Sequence, residues 1–206
     1  EIEFIQKRYA PEKLWFVDDV FTIHKGWTLE FAAKMKAKGL RIPFECISRA
    51  ERVDEEVAAA LVDLGCFRVW IGSESGSQRI LDAMDRRVKV DVVQGATRLL
   101  RAKGIEVGFF IMVGYEGEED RDLVATVEHI RKAAPDIVLT TTSYPIRGTP
   151  YASDLGGRAV NEKPWAVASD RETLVRGRRS KDYYLAARSW IENDAAAGRL
   201  RREGRS

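Results

Sequence analysis

Five places in this sequence set polar, chemically able groups directly after apolar runs. The fullest is Gly72-Ser73-Glu74-Ser75-Gly76, which follows Phe67, Val69, Trp70 and Ile71. A carboxylate, hydroxyls and two glycines are poor packing material at the end of a core strand. They are good material for a polar site. The other four are Asp18 with Asp19, Ser48 with Arg49, Gly114 in the turn Gly114-Tyr115-Glu116-Gly117-Glu118, and Tyr144 with Pro145. Carboxylates suit ammonium groups, ligand hydroxyls or hard cations, and a glycine lets backbone approach a flat ligand.

Each place taken singly has a plain structural explanation. Asp18 or Asp19 could cap a turn, and Arg49 could pair with Glu51. Glu74-Ser75 could open the next helix, and the acids after Gly114 could favour a helix N-terminus. His24 and His129 read as ordinary surface or half-buried histidines. What raises the five above this is that they fall on one rim, if the runs before them are parallel strands.

The elements support that. Glu1–Ala10 has Ile2, Ile5 and Tyr9 at helical spacing, stopped by Pro11. Strands are expected at Lys13–Asp18, Arg41–Ile47, from Phe67, at Glu106–Val113 and at Ile137–Thr142. Between them come four helices. One is capped by Thr28 and stopped by Gly39. A second is capped by Asp54, with Val57, Leu61 and Leu64 inward and Gly65 at its end. A third spans Asp91 to Lys103, after a short turn of helix at Gln78–Met84, with Val92, Ala96 and Leu99 inward. The fourth carries Leu123, Val127 and Ile130 and runs to Pro135.

Alternating strands and helices with continuous apolar strands imply a parallel α/β sheet covered on both faces. A doubly wound sheet and a (β/α) barrel both give this alternation. Five strands in roughly 145 residues, against about 250 for eight units, make an incomplete barrel with its start missing. In either architecture ligands bind at the carboxyl ends of the strands.

After Tyr151 the periodicity fades. Ala152–Arg179 reads as loop and extension, and Ser180–Ala197 as a helix with Tyr184, Ala187, Trp190 and Ile191 on one side. Gly198–Ser206, with four arginines, reads as a frayed tail. The division is therefore a barrel at 1–151 and a C-terminal helical extension at 152–206.

The composition bounds the function. The chain has 206 residues, 45% hydrophobic and 32% charged, with a net charge of +2, so one domain is expected and no basic field argues for nucleic acid. No apolar run approaches the roughly 20 residues that cross a bilayer, so no membrane partner is expected. The sequence opens at Glu1 in what reads as mid-helix, as a piece of a longer polypeptide would. Cys46 and Cys66 lack metal-ligand spacing and read as buried free thiols of a reducing, cytoplasmic compartment. There is no GxSxG, HExxH or GxxxxGK[ST] pattern.

Together the strand ends resemble the radical S-adenosylmethionine superfamily, most closely the group in which a cobalamin-binding domain precedes the core. The phrases that carry the likeness are WFVDDVFT (15–22), ISRAERVDEEVAAALVDLGCFRVWIGSESGSQRILDAMDR (47–86), GIEVGFFIMVGYEGEE (104–119) and SYPIRGTPY (143–151). The resemblance implies a partial (β/α) barrel holding S-adenosylmethionine against a 4Fe–4S cluster. It implies radical chemistry or cobalamin-dependent methyl transfer on a small-molecule substrate, with an electron donor such as flavodoxin or ferredoxin. By the same likeness Asp18 and Asp19 meet the methionine amino group, and Glu74 and Ser75 the ribose and methionine portion. Phe110 to Gly114 flank the adenine, Tyr144 and Pro145 border the adenine and substrate side, and Arg49 is a recurring arginine of the site.

Two departures stand out. The family's CxxxCxxC cluster motif is absent and is expected shortly before Glu1, so this piece alone is expected to be inactive. The family's Gly-x-Pro-Gly-Glu reads Gly114-Tyr115-Glu116-Gly117-Glu118 here, which is expected to loosen the turn and add a charge. Two other classes share the barrel pattern: a binding or scaffold barrel without a cluster, and an aldolase or hydrolase holding a divalent cation on its rim carboxylates.

Overall fold

The computed structural model describes residues 1–160, 167, 169, 171 and 173–204. The strands are β1 (Leu14–Phe16), β2 (Phe44–Ser48), β3 (Cys66–Glu74), β4 (Glu106–Val113) and β5 (Ile137–Thr142). They form one sheet in the order β1-β2-β3-β4-β5, parallel throughout. The order never reverses, so this is a barrel segment and not a doubly wound sheet.

In sequential parallel order, the right-handed crossovers such sheets favour put the covering helices on the same face. They are α2 (Lys25–Ala37), α3 (Glu55–Leu64), α5 (Val90–Ala102), α6 (Asp120–Ala133) and α8 (Lys181–Arg202), each packed on its neighbour. The remaining helices, α1 (Ile2–Tyr9), α4 (Gln78–Ala83) and α7 (Pro150–Leu155), are short. The core lies between that helical layer and alternate strand residues: Phe44, Cys46, Val69, Ile71, Phe109 and Ile111. The expectation of a sheet covered on both faces is corrected here. The other alternate set, Trp15, Glu45, Arg68, Trp70, Phe110 and Leu139, faces the side that no helix of the described residues covers. Trp15 and Leu139 are each 47% exposed. The strands read as largely apolar because aromatic rings line much of that second face, with Glu45 and Arg68 paired to each other among them. Trp15 stacks on Trp70 at 6.2 Å and Trp70 on Phe110 at 5.0 Å.

Helix starts and faces follow local chemistry where a cap is present. Asp54 accepts from Val57 N–H at 2.9 Å, and Gly65 ends α3 at φ +98°. Thr28 is not a cap, because its hydroxyl bonds back to His24 O and α2 begins at Lys25. In α5 the buried face is Val93, Gln94, Ala96, Thr97 and Leu100, one position round from the expected one, with Val92 exposed. The helix α1 has no buried residue, although its length agrees with expectation.

The C-terminal part is more ordered than its composition suggests. The helix α7 and a two-stranded ladder of β6 (Ala159–Val160) and β7 (Leu174–Val175) lie in the stretch read as loop. Part of that stretch, 161–166, 168, 170 and 172, is outside the described residues. Running five residues beyond the expected end, α8 contributes Ala187 and Ile191 to the core, while Trp190 faces outward. The arginines read as a frayed tail are in part tied down. Arg199 donates to Asp136 O at 3.2 Å and Arg202 to Pro135 O at 2.8 Å. Among the described residues no helix is long and apolar enough to cross a membrane.

Candidate functional site

The site is built at the carboxyl end of β3, where the register against β4 slips between Gly72 and Glu74. Ser73 continues the helix-facing set of Val69 and Ile71, and its Oγ lies 2.9 Å from His129 Nε2 on α6. His129 Nδ1 lies 3.2 Å from Gln94 Nε2 on α5, and the ring stacks on Phe109. The histidine expected to be at the surface or half-buried is 3% exposed, because its ring nitrogens find partners inside. The next residues are stitched to α6 as well. Ser75 Oγ lies 3.3 Å from Thr126 Oγ1, Gly76 N–H donates to that same oxygen at 2.9 Å, and Ser77 Oγ donates to Asp122 at 2.6 Å.

These ties fix Glu74 in left-handed backbone, φ +59°, a costly state for a residue with a Cβ. The carboxylate folds back over Gly72. A Cβ at Gly72 would stand 2.9 Å from both Glu74 Oε1 and Arg86 Nη2. Burial pushes the Glu74 pKa up, and Arg86, 3.4 Å away, pulls against that. Of the expected pair, Glu74 reaches the rim, whereas the Ser75 side chain is buried against α6.

Arg86 is the residue that sequence reasoning missed. It follows α4 in a turn where Asp85 and Arg87 both have positive φ, and that turn brings it back over β3. Its Nη2 donates to Gly72 O at 3.2 Å, and its Nε is buried with no acceptor among the described residues. Arg49 supports it, donating to Arg86 O at 2.9 Å while also pairing with Glu51. The plain expectation for Arg49, a pair with Glu51, is met, and its other contact is to the backbone of Arg86. Asp18 and Asp19 lie exposed just after β1. Their loop is held to the end of β2 by Phe21 N–H on Ile47 O at 2.9 Å and by Thr22 Oγ1, 2.5 Å from Ser48 Oγ.

Phe110 lies on the uncovered face, stacked on Trp70, and Gly108 makes room for that indole, since a Cβ there would meet it at 2.3 Å. Gly114 has φ +79°, and its N–H donates to Glu118 at 2.5 Å. A Cβ at Gly114 would meet the Tyr184 ring of α8 at 2.8 Å. The charge that Glu116 adds is paired with Arg158 at 3.1 Å, and Glu118 N–H closes the turn on Tyr115 O at 3.0 Å. The turn that departs from the family's proline is thus held by contacts to the extension. Tyr144 is half-buried with Arg171 5.9 Å over its ring, and Pro145 is buried.

Two buried groups beside the site titrate in opposing directions. Burial, with Lys132 nearby, pushes His129 from 6.5 down to about 4. Burial pushes Glu118 from 4.5 up to about 7, against the Gly114 N–H. The unfolded chain protonates at His129 where the folded one does not. That contribution to stability is full above pH 6.5 and is lost as pH falls toward 4. The folded chain keeps a proton on Glu118 that the unfolded one releases. That contribution is full below pH 4.5 and is lost as pH rises toward 7. Each is on the order of 3 kcal/mol at full extent, so they largely cancel in the overlap. Glu118→Gln is expected to give a stability that rises from pH 4.5 to 6.5, and His129→Gln one that falls over that range. Urea midpoints across pH check this, and parallel profiles for the two variants would refute it.

Comparison with known proteins agrees with this architecture. The sequence profile of the Radical SAM superfamily matches residues 1–130. An uncharacterized methyltransferase of Pyrococcus horikoshii is 27% identical over 149 residues, 72% of this chain and 32% of that protein. The anaerobic magnesium-protoporphyrin IX monomethyl ester cyclase of Rubrivivax gelatinosus is 25% identical over 139 residues, 66% of this chain and 25% of that protein. The fold is shared with the radical S-adenosylmethionine methyltransferase TsrM of Kitasatospora setae, solved with cobalamin and a [4Fe-4S] cluster. The TM-score is 0.66 at 18% identity, covering 83% of this chain and 38% of that one. This chain thus spans between 25% and 38% of the length of these relatives. With the profile running from α1 through β4 and most of α6, the chain belongs to the radical SAM superfamily.

Proposed function

We propose that this chain is the S-adenosylmethionine-holding core of a radical SAM enzyme. The observation that carries the reading is Glu74, a carboxylate held over Gly72 in left-handed backbone on the sheet's carboxyl rim, beside Arg86. Strain of that kind is retained where the surroundings enforce it for a purpose. In this reading Glu74 accepts from the ribose hydroxyls. Its raised pKa comes down when the cationic sulfonium arrives. The unfilled Arg86 Nε–H and Arg49 meet the methionine carboxylate. Asp18 and Asp19 meet its ammonium group. Phe110 and the Gly114 backbone flank the adenine, and Tyr144 and Pro145 border it on the substrate side. Ser75 acts through α6, by fixing the loop that carries Glu74.

A 4Fe–4S cluster needs thiolates, and this chain does not fit one. Its cysteines, Cys46 and Cys66, are both buried in the core, and the Cys66 thiol donates to Arg68 O at 3.3 Å. Contact with Cys66, and burial, push the Cys46 thiol up. No step is derived through a cluster on these residues. Nor do the rim carboxylates form a cation site: among the described residues no group of three or more His, Cys, Asp or Glu converges on one point. For the whole protein we propose a cluster held by other residues, cobalamin as a further cofactor in methyl transfer, a small-molecule substrate and a flavodoxin- or ferredoxin-type electron donor. Within it, 1–151 form the barrel and 152–206 an extension whose α8 closes the helical layer.

The test is the intact protein, reconstituted anaerobically with iron and sulfide, then given a reductant and S-adenosylmethionine. Release of 5′-deoxyadenosine or S-adenosylhomocysteine is expected. A protein that binds no S-adenosylmethionine, or works in air with added Mg²⁺ or Mn²⁺ alone, would overturn the reading.

A further inference from the structure

A cleft of about 1000 Å³ opens where the carboxyl end of β5 meets β7 and the start of α8. That volume fits a drug-sized ligand. Six cations line it: Arg171, Arg176, Arg178, Arg179, Lys181 and Arg188. No carboxylate does, among the described residues. This is unlike the rest of the molecule: the whole chain, cleft included, carries a net charge of only +2, and elsewhere cations meet acids. Lys25 pairs with Asp54, Arg68 with Glu45 and Glu106, and Arg131 with Asp194.

The cleft cations are held largely by neutral groups. Arg178 donates to Ser143 O at 2.7 Å and lies over the Tyr151 ring, and Arg188 donates to Thr140 Oγ1 at 2.9 Å. Thr140 in turn donates to Glu192, and Arg178 acts on Glu118 through space. Arg171 lies over the Tyr144 ring. Of the six, Arg179 is ion-paired with a described carboxylate, Asp120, at 3.4 Å and well exposed. The Arg178 Nε–H is buried with no acceptor among the described residues, which costs free energy unless something fills it. Ser180 caps α8 by accepting from Tyr183 N–H, so the positive end of a 22-residue helix also faces this cleft. Tyr144, Tyr184 and Leu185 add apolar wall.

We propose that this cleft binds a small molecule carrying at least two anionic groups, carboxylates or phosphates, on an apolar body. This deepens the functional reading, since Tyr144 lines both sites, and it names the substrate class that reading leaves open. Guanidinium forks match carboxylate and phosphate oxygens two at a time. Cations set along residues 171 to 188, from before β7 into α8, suit anions that are spread over one ligand. A nucleic acid would ask for a basic field beyond the cleft, and the near-neutral chain lacks one.

The test titrates the intact protein with tricarballylate and with inorganic pyrophosphate by calorimetry at low ionic strength. S-adenosylmethionine affinity is measured on the same samples. Saturable binding of at least one anion is expected, and the two probes separate a carboxylate site from a phosphate site. The double variant Arg176→Gln/Lys181→Gln, whose side chains carry no ion pair to a described residue, is expected to weaken that binding about tenfold or more. Its S-adenosylmethionine affinity is expected to stay the same. If the double variant loses its fold, Lys181→Gln alone decides by the same readouts. No saturable anion binding, or equal binding by wild type and variant, would overturn the proposal. So would tighter binding of a single-stranded oligonucleotide that grows with strand length. If anion binding behaves as expected but S-adenosylmethionine is not bound at all, the cleft stands and the functional reading falls.

Discussion

Gly76→Ala is expected to cost about 3–5 kcal/mol of folding stability and to loosen the loop that holds Glu74. A Cβ at Gly76 would stand 2.5 Å from Ala125 O, 2.5 Å from His129 Cβ and 2.6 Å from Thr126 Cα. These are atoms of α6 itself and cannot turn aside as the tip of a side chain would. The loop must lift. Lifting stretches the Gly76 N–H bond to Thr126 and the Ser75 and Ser77 contacts to the same helix. Overpacking alone costs about 1–3 kcal/mol, and each buried hydrogen bond lost adds about 1. Against a total of about 5–15 kcal/mol that is a large share. Gly26→Ala is the control. Gly26 lies in α2 with nothing within 4 Å of its missing Cβ, so the change is expected to be neutral or stabilising by up to about 1 kcal/mol. Urea unfolding of both variants decides. A Gly76→Ala protein within about 0.5 kcal/mol of wild type would show that the loop is not held as described.

Glu45→Ala is expected to cost about 2–4 kcal/mol. Glu45 is a buried acid on the face without helices. It accepts from Trp70 Nε1 at 2.8 Å and from Arg68 at 3.0 Å. Removing it leaves the indole N–H unpaired beneath two stacked rings. Arg68 retains Glu106 at 2.7 Å and is 21% exposed, so its loss is less than that of a fully buried charge. Glu45→Gln keeps an acceptor for Trp70 and is expected to lose about half as much. The near-ultraviolet circular dichroism of the Trp15, Trp70 and Phe110 stack is expected to change in the alanine variant and much less in the glutamine one. Equal losses for the two would mean that the Trp70 bond contributes nothing.

What the sequence reveals, and what it hides, divides by range. The bounds of β4 and β5 match the expected runs, and α3 has the expected Asp54 cap and Gly65 stop. These are local signals: apolar runs, caps and a positive-φ glycine. Strand order follows too, because short parallel crossovers leave few alternatives. The site was legible only as a row of strand ends. Side-chain directions at those ends are set by partners far along the chain. Ser73 meets His129 56 positions away, and Ser75 meets Thr126 51 positions away. Neither partner belongs to a motif, so in the sequence Ser75 looks available to a ligand and His129 looks ordinary. Arg86 was hidden for another reason. Two non-glycine residues in left-handed backbone, Asp85 and Arg87, turn it onto the rim, and residue type alone does not announce that conformation. The shift of the α5 face by one position puts Gln94 inside, where His129 needs it.

Everything proposed for the rim rests on Glu74 meeting S-adenosylmethionine. The most direct test is equilibrium dialysis of labelled S-adenosylmethionine against the intact wild-type protein and its Glu74→Ala variant, with urea midpoints measured alongside. Losing a charged hydrogen-bond partner is expected to weaken binding about tenfold or more. The midpoint is expected to hold, since alanine relieves the buried carboxyl and keeps the loop's ties to α6. Equal affinity in the two proteins, with the fold intact, would contradict the account and remove Glu74 from the site.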